Sequence, residues 1–220
     1  MRPVRAAALV AVLLLAGCAS GGDDPEVGTP SSTSTQAAAP TGTPSIPPGL
    51  LECGKPRDRT DLQLADVDLT TATWSLPSGF SETFSYIEDN PVETISSTWY
   101  AEPVDPPLPT LNVLNVIIYT GLNWGDLADD CGRVPIEAVQ ERLAQYREQI
   151  NADPLSDATM TTVAGMPAIE QVIGLARYDY HGYWLFSQTR LLHVYCQWTA
   201  GNRDAIEAGC APLVASVSVG

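Results

Sequence analysis

The sequence has few of the residues on which most catalytic and metal sites depend. It contains only two histidines, His181 and His193, and no Cys-x-x-Cys motif, so the usual ligand spacings of a zinc site are absent. It also has no Gly-x-Ser-x-Gly elbow for a nucleophilic serine and no glycine-rich phosphate loop after a strand. We therefore predict no catalytic residues, no metal ligands and no cofactor.

Positive charge is also scarce. The chain has 11 Lys and Arg residues against 26 Asp and Glu residues, which gives a formal net charge of −15 at pH 7. Such a surface repels the phosphates of nucleic acids and the headgroups of anionic lipids. The sequence therefore predicts no nucleic-acid partner, and the excess of carboxylates is most simply explained by solubility.

No apolar run reaches the roughly 20 residues that a membrane-spanning helix needs. An apolar run near the N-terminus, residues 6–16, follows Arg2 and Arg5 and leads into a Leu-Ala-Gly-Cys sequence that ends at Cys18. That order is typical of a secretory signal with a bacterial lipobox. We predict that residues 1–17 are a lipoprotein signal peptide and that Cys18 carries a diacylglyceryl group on its sulfur. The alternative is an ordinary signal peptide followed by an incidental cysteine.

Lipidation would place the protein on the extracytoplasmic face of the cell membrane, because two acyl chains form a stable anchor at about 0.8 kcal/mol per buried methylene. Residues 18–51 are rich in Ser, Thr, Pro and Ala and bury too little apolar surface to fold, which predicts a disordered tether. The tether is either a plain spacer or a substrate for O-glycosylation. Residues 52–220 are long enough for a single globular domain with its own core, which we expect to be a monomer.

Four further cysteines lie in a chain that is expected in an oxidising compartment: Cys53, Cys131, Cys196 and Cys210. They allow three pairings, and we predict Cys53 with Cys131 and Cys196 with Cys210. The second pair is favoured because Cys196 shares one face of a predicted strand with Leu192 and Val194. A helix that begins after Asn202 would turn Cys210 towards the same face.

Alternating apolar and β-branched residues predict an antiparallel sheet. The predicted strands are residues 69–76, 81–87, 94–101, 111–119, 159–163, 168–175, 183–188 and 191–198. Strand 111–119 has apolar residues on both faces, which predicts a central position in the sheet.

Two helices are predicted to pack on this sheet, which makes the fold α+β. Apolar residues recur at helical spacing from Ile136 to Ile150, with Pro135 in the first turn. The second helix follows Asn202 and is predicted to be short, because Gly209 and Pro212 weaken it.

Three short motifs resemble a known family. They are Trp-Ser-Leu-Pro-Ser-Gly-Phe at 74–80, Gly-Met-Pro-Ala at 165–168, and a closing Val-Tyr-Cys-Gln strand at 194–197 ahead of Cys210. Together they resemble actinobacterial lipoproteins of the LpqN and LpqT kind, which share the fold of the PsbP and Mog proteins. The resemblance implies an α/β/α sandwich around an antiparallel sheet. It also implies a protein that acts by binding, with no set of catalytic residues to carry over.

An aromatic cluster is the feature that most favours ligand binding: Tyr178, Tyr180, Tyr183 and Trp184. Aromatic rings with polar tips suit ligand and partner surfaces. The same residues are also common in strands, where they pack in the core or across strands. His193 alternates with apolar residues and is expected on a sheet face, whereas His181, next to a glycine, is expected in a loop.

These features favour a non-enzymatic, lipid-anchored envelope lipoprotein that binds an envelope protein or an apolar envelope ligand. The alternative from another class is a cryptic hydrolase acting on cell-wall or lipid esters, in which only His181 or His193 is available as the base. Capture of a solute for a transporter is a third hypothesis, but such proteins usually have two lobes and a longer chain.

Mass spectrometry of the protein from the membrane fraction tests the predicted anchor. We expect an N-terminal peptide that begins at Cys18 and carries the mass of acyl groups, because signal removal follows lipidation of the lipobox cysteine. Full-length protein in the cytosol, with Met1 intact and no acyl mass, contradicts the prediction.

Overall fold

The computed structural model describes residues 61–220 as ten strands, two α-helices and two short 3-10 turns. In chain order the strands and α-helices are β1 (Asp61–Gln63), β2 (Phe80–Glu82), β3 (Thr94–Pro103), β4 (Val113–Thr120), β5 (Arg133–Pro135), α1 (Ile136–Gln149), β6 (Asp153–Pro154), β7 (Thr159–Val163), β8 (Met166–Gly174), β9 (Asp179–Phe186), β10 (Arg190–Trp198) and α2 (Arg203–Ser216). Cys18, Cys53 and the predicted signal peptide and tether lie outside the described residues.

Eight of these strands form one antiparallel sheet in the order β2-β3-β4-β10-β9-β8-β6, in which β7 also pairs with β8. β4 and β10 lie side by side in the middle, in a register that runs from Thr120 opposite Arg190 to Val113 opposite Gln197. Residues 113–119 are buried on both faces of the sheet. This confirms the central position that was predicted from their apolar character. The short strands β1 and β5 form a separate pair.

α1 and α2 lie on opposite faces of the sheet. Ile117 of β4 belongs to the core that contains Leu143 of α1, whereas Val116 belongs to the core that contains Leu213 of α2. Because successive residues of a strand point to opposite faces, the same central strands supply both cores. The structure therefore confirms the α+β class, with helices packed on an antiparallel sheet in α/β/α layers. The finer likeness to the PsbP and Mog proteins stays a prediction.

Several predicted elements lie where the pattern placed them, with shifted ends. β3, β4, β10, the β7–β8 hairpin and α1 are confirmed, although Pro135 precedes α1 and is not in its first turn. The strand predicted at 183–188 begins earlier, at Asp179, so the loop predicted for His181 is wrong. The neighbouring Gly182 is not a turn residue: a Cβ there would come within 2.5 Å of the Trp184 ring. Glycine is required at this position because the indole lies against the backbone.

The first two predicted strands are wrong in part. Leu69–Thr71 is a 3-10 turn, because the carboxylate of Asp68 accepts the N–H of Thr70 at 3.0 Å and caps it. β2 ends at Glu82, well before the predicted end at residue 87. Threonine and serine side chains bond to nearby backbone groups, and here this local bonding outweighs their β-propensity.

α2 is longer than the short helix that was predicted, since it continues through Pro212 to Ser216. Pro212 is exposed, so the carbonyl that lacks an N–H donor there faces water. Gly209 is buried against Phe80, whose ring lies 2.3 Å from the position of a Cβ. Asn202 has the predicted N-cap position, but its side chain donates to Thr199 Oγ1 at 2.9 Å and does not cap the helix.

A disulfide between Cys196 of β10 and Cys210 of α2 ties the helix to the sheet, which confirms the predicted pairing. Both cysteines are fully buried, and a loop of this length contributes about 3 kcal/mol in the chain-entropy model. Cys131 is also disulfide-bonded. Its predicted partner, Cys53, lies outside the described residues, so that pairing stays a prediction.

Between residues 61 and 220, no helix has both the length and the apolar character that crossing a bilayer requires.

Gly209→Ala tests the closest contact between α2 and the sheet. Alanine has a helix propensity better than that of glycine by about 1 kcal/mol. Its Cβ would lie 2.3 Å from the Phe80 ring, however, and overpacking costs about 1–3 kcal/mol. We expect a net decrease in the free energy of unfolding, measured by urea denaturation.

In a protein that already carries Phe80→Leu, Gly209→Ala should lower the free energy of unfolding by less than it does in the wild type. The reason is that the smaller side chain at position 80 makes room for the new methyl group. A more stable Gly209→Ala single variant would show that the contact does not constrain the helix.

Candidate functional site

Strands β9 and β10 carry candidate site residues on both faces of the sheet. Tyr178, Tyr180 and Trp184 are buried in the core on the α1 side. Tyr183 is partly buried on the α2 side, because it is out of phase with Tyr180 and Trp184 along β9. The four aromatic residues predicted from the sequence therefore do not line one groove, and their role in ligand binding stays a prediction.

His193 lies at the centre of an aromatic cluster on the α1 side. Its ring stacks on Trp184 and Tyr195, with centroid separations of 4.8 and 4.6 Å, and Tyr180 meets it edge to face at 5.9 Å. Only 3% of the residue is exposed, and neither ring nitrogen has a hydrogen-bond partner among residues 61–220. A buried polar group without a partner costs about 1–3 kcal/mol. Packing alone therefore gives no reason for a histidine at this position.

The space around His193, which we call the His193 chamber, is also lined by Glu88, Tyr119, Tyr178, Tyr180 and Tyr195. The segment between β2 and β3 closes it: the Tyr195 hydroxyl donates to the Glu88 carboxylate, and Asn90 Nδ2 donates to Tyr178 Oη at 2.8 Å. The volume left for the centre of a water molecule is about 10 Å³, roughly enough for one water. The chamber is therefore closed in this conformation.

The ionisable groups of the chamber favour one charge distribution. Burial lowers the pKa of His193 to about 3, so its imidazole is neutral at pH 7. Burial raises the pKa of Glu88, and burial followed by the Glu88 charge raises the pKa of Tyr195 far above its ordinary value. The chamber thus combines neutral aromatic rings, a neutral imidazole and a carboxyl group.

On the opposite face, α2 leaves part of the sheet uncovered. A cleft of about 540 Å³ lies beside the helix over β7, β8 and β9. Small apolar residues of α2 and the following segment form one wall, among them Ala211, Val214 and Val217, and Thr161 and Tyr183 lie on the sheet side. We call this space the α2 cleft.

A cluster around His181 borders the α2 cleft. His181 Nε2 lies 3.6 Å from Glu170 Oε2, and its Nδ1 lies 3.6 Å from Glu207 Oε1 and 3.2 Å from the Tyr183 hydroxyl. The hydroxyl that bonds this histidine is therefore a phenol, whose pKa burial raises to about 12. This arrangement differs from the serine–histidine pair of a hydrolase.

In the part of the chain that the structure describes, no group of three or more His, Cys, Asp or Glu side chains is arranged to hold a metal ion.

β7 forms an exposed sheet edge next to the α2 cleft; within the described residues it pairs only with β8. Ala164 and Gly165 have positive φ angles of 52° and 76°, which fits a two-residue type I′ turn closed by a hydrogen-bonded pair. In antiparallel strands hydrogen-bonded and non-bonded pairs alternate. The N–H and C=O of Thr162 therefore point away from β8, and its opposite residue, Pro167, has no N–H to offer.

Sequence reasoning did not identify Glu88, Asn90, Glu170 or Glu207. Glu88 and Asn90 come from an irregular segment, and no pattern links that segment to β10. Glu170 could in principle have been predicted, since it stands opposite Tyr183 in the register of β8 and β9. That prediction needs the correct bounds of β9, which the loop predicted at His181 excluded.

Comparisons with known proteins add little to this geometry. No family model matches the chain, and no curated protein matches it. A solved structure from Bacteroides thetaiotaomicron is similar with a TM-score of 0.39 and 8% sequence identity, covering 68% of this chain and 45% of that one. The chain thus spans less than half the length of that protein, and the similarity carries no argument about function.

His193→Phe tests whether the buried imidazole lowers the stability of the fold. A phenyl ring preserves the stacking and has no nitrogen that needs a partner, so we expect the free energy of unfolding at pH 7 to rise by about 1–3 kcal/mol. Urea denaturation of both proteins measures the difference.

The advantage of His193→Phe should grow as the pH falls. The pKa of His193 is about 3 in the folded chain and about 6.5 in the unfolded chain, so the unfolded state takes up the proton first. The wild type should therefore lose stability relative to the variant between about pH 6.5 and 3, by up to about 1.4 kcal/mol per pH unit. A difference that does not change with pH would refute the assignment.

Proposed function

We propose that this protein is a non-enzymatic, lipid-anchored lipoprotein of the cell envelope, which binds an extended segment of an envelope protein in the α2 cleft. The Leu-Ala-Gly-Cys sequence that ends at Cys18 supports the location. The observation that carries the binding role is the open α2 cleft, which lies directly beside the free edge of β7.

An extended segment suits this site because β7 can accept another strand. Met160 and Thr162 stand in the non-bonded positions of the β7–β8 ladder, so their backbone groups are free to pair with a partner. Proteins usually protect an edge strand with charged residues or proline, and the strand Thr-Met-Thr-Thr-Val has neither. Strand addition obtains affinity from the backbone and specificity from adjacent pockets for side chains.

The cleft indicates what such a segment would present. Ala211 and Val214 offer a small apolar wall, and Glu170 places a carboxylate in the lining of the cleft. Glu207, on the other side of His181, is already paired with Arg203 at 3.6 Å. We therefore expect a partner segment with small apolar side chains and at least one basic residue, since opposite charges favour encounter and register.

The alternative partner is an apolar envelope ligand, which the apolar wall of the α2 cleft would also suit. The alternative activity is hydrolysis of cell-wall or lipid esters. That activity needs a nucleophile next to a base, and the group next to His181 is the phenol of Tyr183. Binding of a protein segment accounts for both the cleft and the free edge, and the alternatives account for the cleft only.

Site-specific photo-crosslinking in intact cells tests the proposal. A photoreactive residue at position 162 or 183 should capture the same envelope protein, whereas the same residue at Glu141, exposed on α1, should not. Proline at 162 removes only an outward N–H and leaves the β7–β8 ladder intact. With the photoreactive residue at 183, we therefore expect Thr162→Pro to abolish the crosslink and Thr162→Val to retain it.

Capture at Glu141 equal to that at position 183, or full capture in the Thr162→Pro variant, would show that the β7 edge is not the binding site. Melting curves of both variants provide the folding control.

A further inference from the structure

The His193 chamber lies next to a second space at the surface. A vestibule of about 190 Å³ lies outside it, lined among others by Asp89, Arg177 and Leu175. Three residues line both spaces: Asn90, Ile150 and Tyr178. The boundary between chamber and vestibule is therefore a thin layer of side chains.

This boundary can open without unfolding of the strands. The hydrogen bond from Asn90 Nδ2 to Tyr178 Oη, 2.8 Å long, closes it. Asn90 lies in an irregular segment and Tyr178 just before β9. Rotation of these two side chains would join the chamber to the vestibule, and side-chain rotations are fast compared with movements of packed strands.

The chamber has the chemistry of a cation site. The rings of Tyr119, Tyr180 and Tyr195 surround it, and the half-buried Glu88 supplies a carboxyl group. The negative faces of aromatic rings attract organic cations, most strongly where water is excluded. Among its described lining residues none is an arginine or lysine. Arg147, which interacts electrostatically with Tyr180, is hydrogen-bonded to Gln171.

His193 adds a second requirement for the ligand. Both of its ring nitrogens lack a partner among the described residues although the ring is buried. A neutral imidazole has one donor and one acceptor nitrogen. A ligand with a hydroxyl group next to its cationic centre would satisfy one of them while the cation contacts the tyrosine rings.

We propose that the His193 chamber binds a small organic cation of the amino-alcohol class, which enters from the vestibule when the Asn90–Tyr178 hydrogen bond opens. The vestibule of about 190 Å³ is smaller than the roughly 300–1,000 Å³ of pockets for drug-sized ligands, and the closed chamber has room for about one water molecule. The ligand is therefore small, and it occupies the space that is freed when the side chains of Asn90 and Tyr178 turn away. This site lies on the opposite face of the sheet from the α2 cleft and does not depend on the protein partner proposed above.

Isothermal titration calorimetry of the full chain in detergent tests the proposal, with choline and ethanolamine as probes. The control ligand is 3,3-dimethylbutan-1-ol, which has the shape of choline but no charge. We expect saturable binding of at least one cation and at least about tenfold weaker binding of the neutral alcohol. Glycerophosphocholine distinguishes the two sources of this chemistry: its binding indicates a lipid headgroup, and its rejection indicates a free amino alcohol.

Two variants assign the binding to the chamber. Glu88→Gln removes the charge of the side chain and retains its shape. It should weaken binding of the cation at least about tenfold and leave the affinity for the neutral alcohol unchanged. His193→Phe should weaken both ligands while the protein remains folded, which melting curves verify. Glu141→Gln on the surface of α1 is the matched control, and should bind like the wild type.

The proposal is overturned if neither choline nor ethanolamine binds saturably, since the chamber then holds at most a water molecule. It is also overturned if the neutral alcohol binds as tightly as choline, or if Glu88→Gln and His193→Phe bind like the wild type. None of these results affects crosslinking at position 162, so the two proposals fail separately.

Discussion

The pairing of β4 with β10 is the interaction on which the rest of the structure depends. Both strands are buried on both faces, and their alternating residues supply the core under α1 and the core under α2. Asn115 also links the two strands, because its buried amide nitrogen donates to the backbone carbonyl of Tyr195, although its Oδ1 has no hydrogen-bond partner among the described residues. A substitution in either strand therefore affects two layers at once, and the candidate sites are held in place by the same pair.

The two candidate sites arise from the two faces of this central unit. On the α2 side, the disulfide of Cys196 and Cys210 fixes the helix over β10, so the sheet beyond it, towards β7, is left open as a cleft. On the α1 side, the faces of β9 and β10 carry aromatic residues that enclose His193. The α2 face thus offers an accessible cleft, and the α1 face a closed chamber that contains a buried imidazole.

The polar residues of the α1-side core differ in how well they are satisfied. Gln197 is buried, accepts from Tyr86 and donates to the carbonyl of Leu111, so it joins a loop to the sheet without leaving either polar group unpaired. His193 is buried to the same degree, but neither of its nitrogens has a partner among residues 61–220. A satisfied network stabilises a fold and an unsatisfied group weakens it. The hydrogen bonds of Gln197 therefore explain its place in the core, whereas no hydrogen bond among the described residues explains the imidazole of His193.

Local pattern was sufficient for much of the fold. The burial of β4 on both faces, the hairpin of β7 and β8, the helix from Ile136 and the pairing of Cys196 with Cys210 all follow from alternation, helical spacing and turn residues. The predictions for His181 and for the length of α2 were wrong because glycine has two structural uses: it permits turns, and it makes room for a large neighbouring side chain. Gly182 resembles a turn residue but makes room for Trp184, and Gly209 resembles a helix breaker but makes room for Phe80.

The sequence by itself determined the class of fold, the central strand and one disulfide, because these depend on neighbours in the chain or on short motifs. Only the tertiary structure decided which polar residues meet. Glu88 reaches Tyr195, and Glu207 reaches His181, because the packing of an irregular segment and a helix on the sheet joins residues far apart in the chain. No periodicity records such contacts, and both candidate sites consist of them.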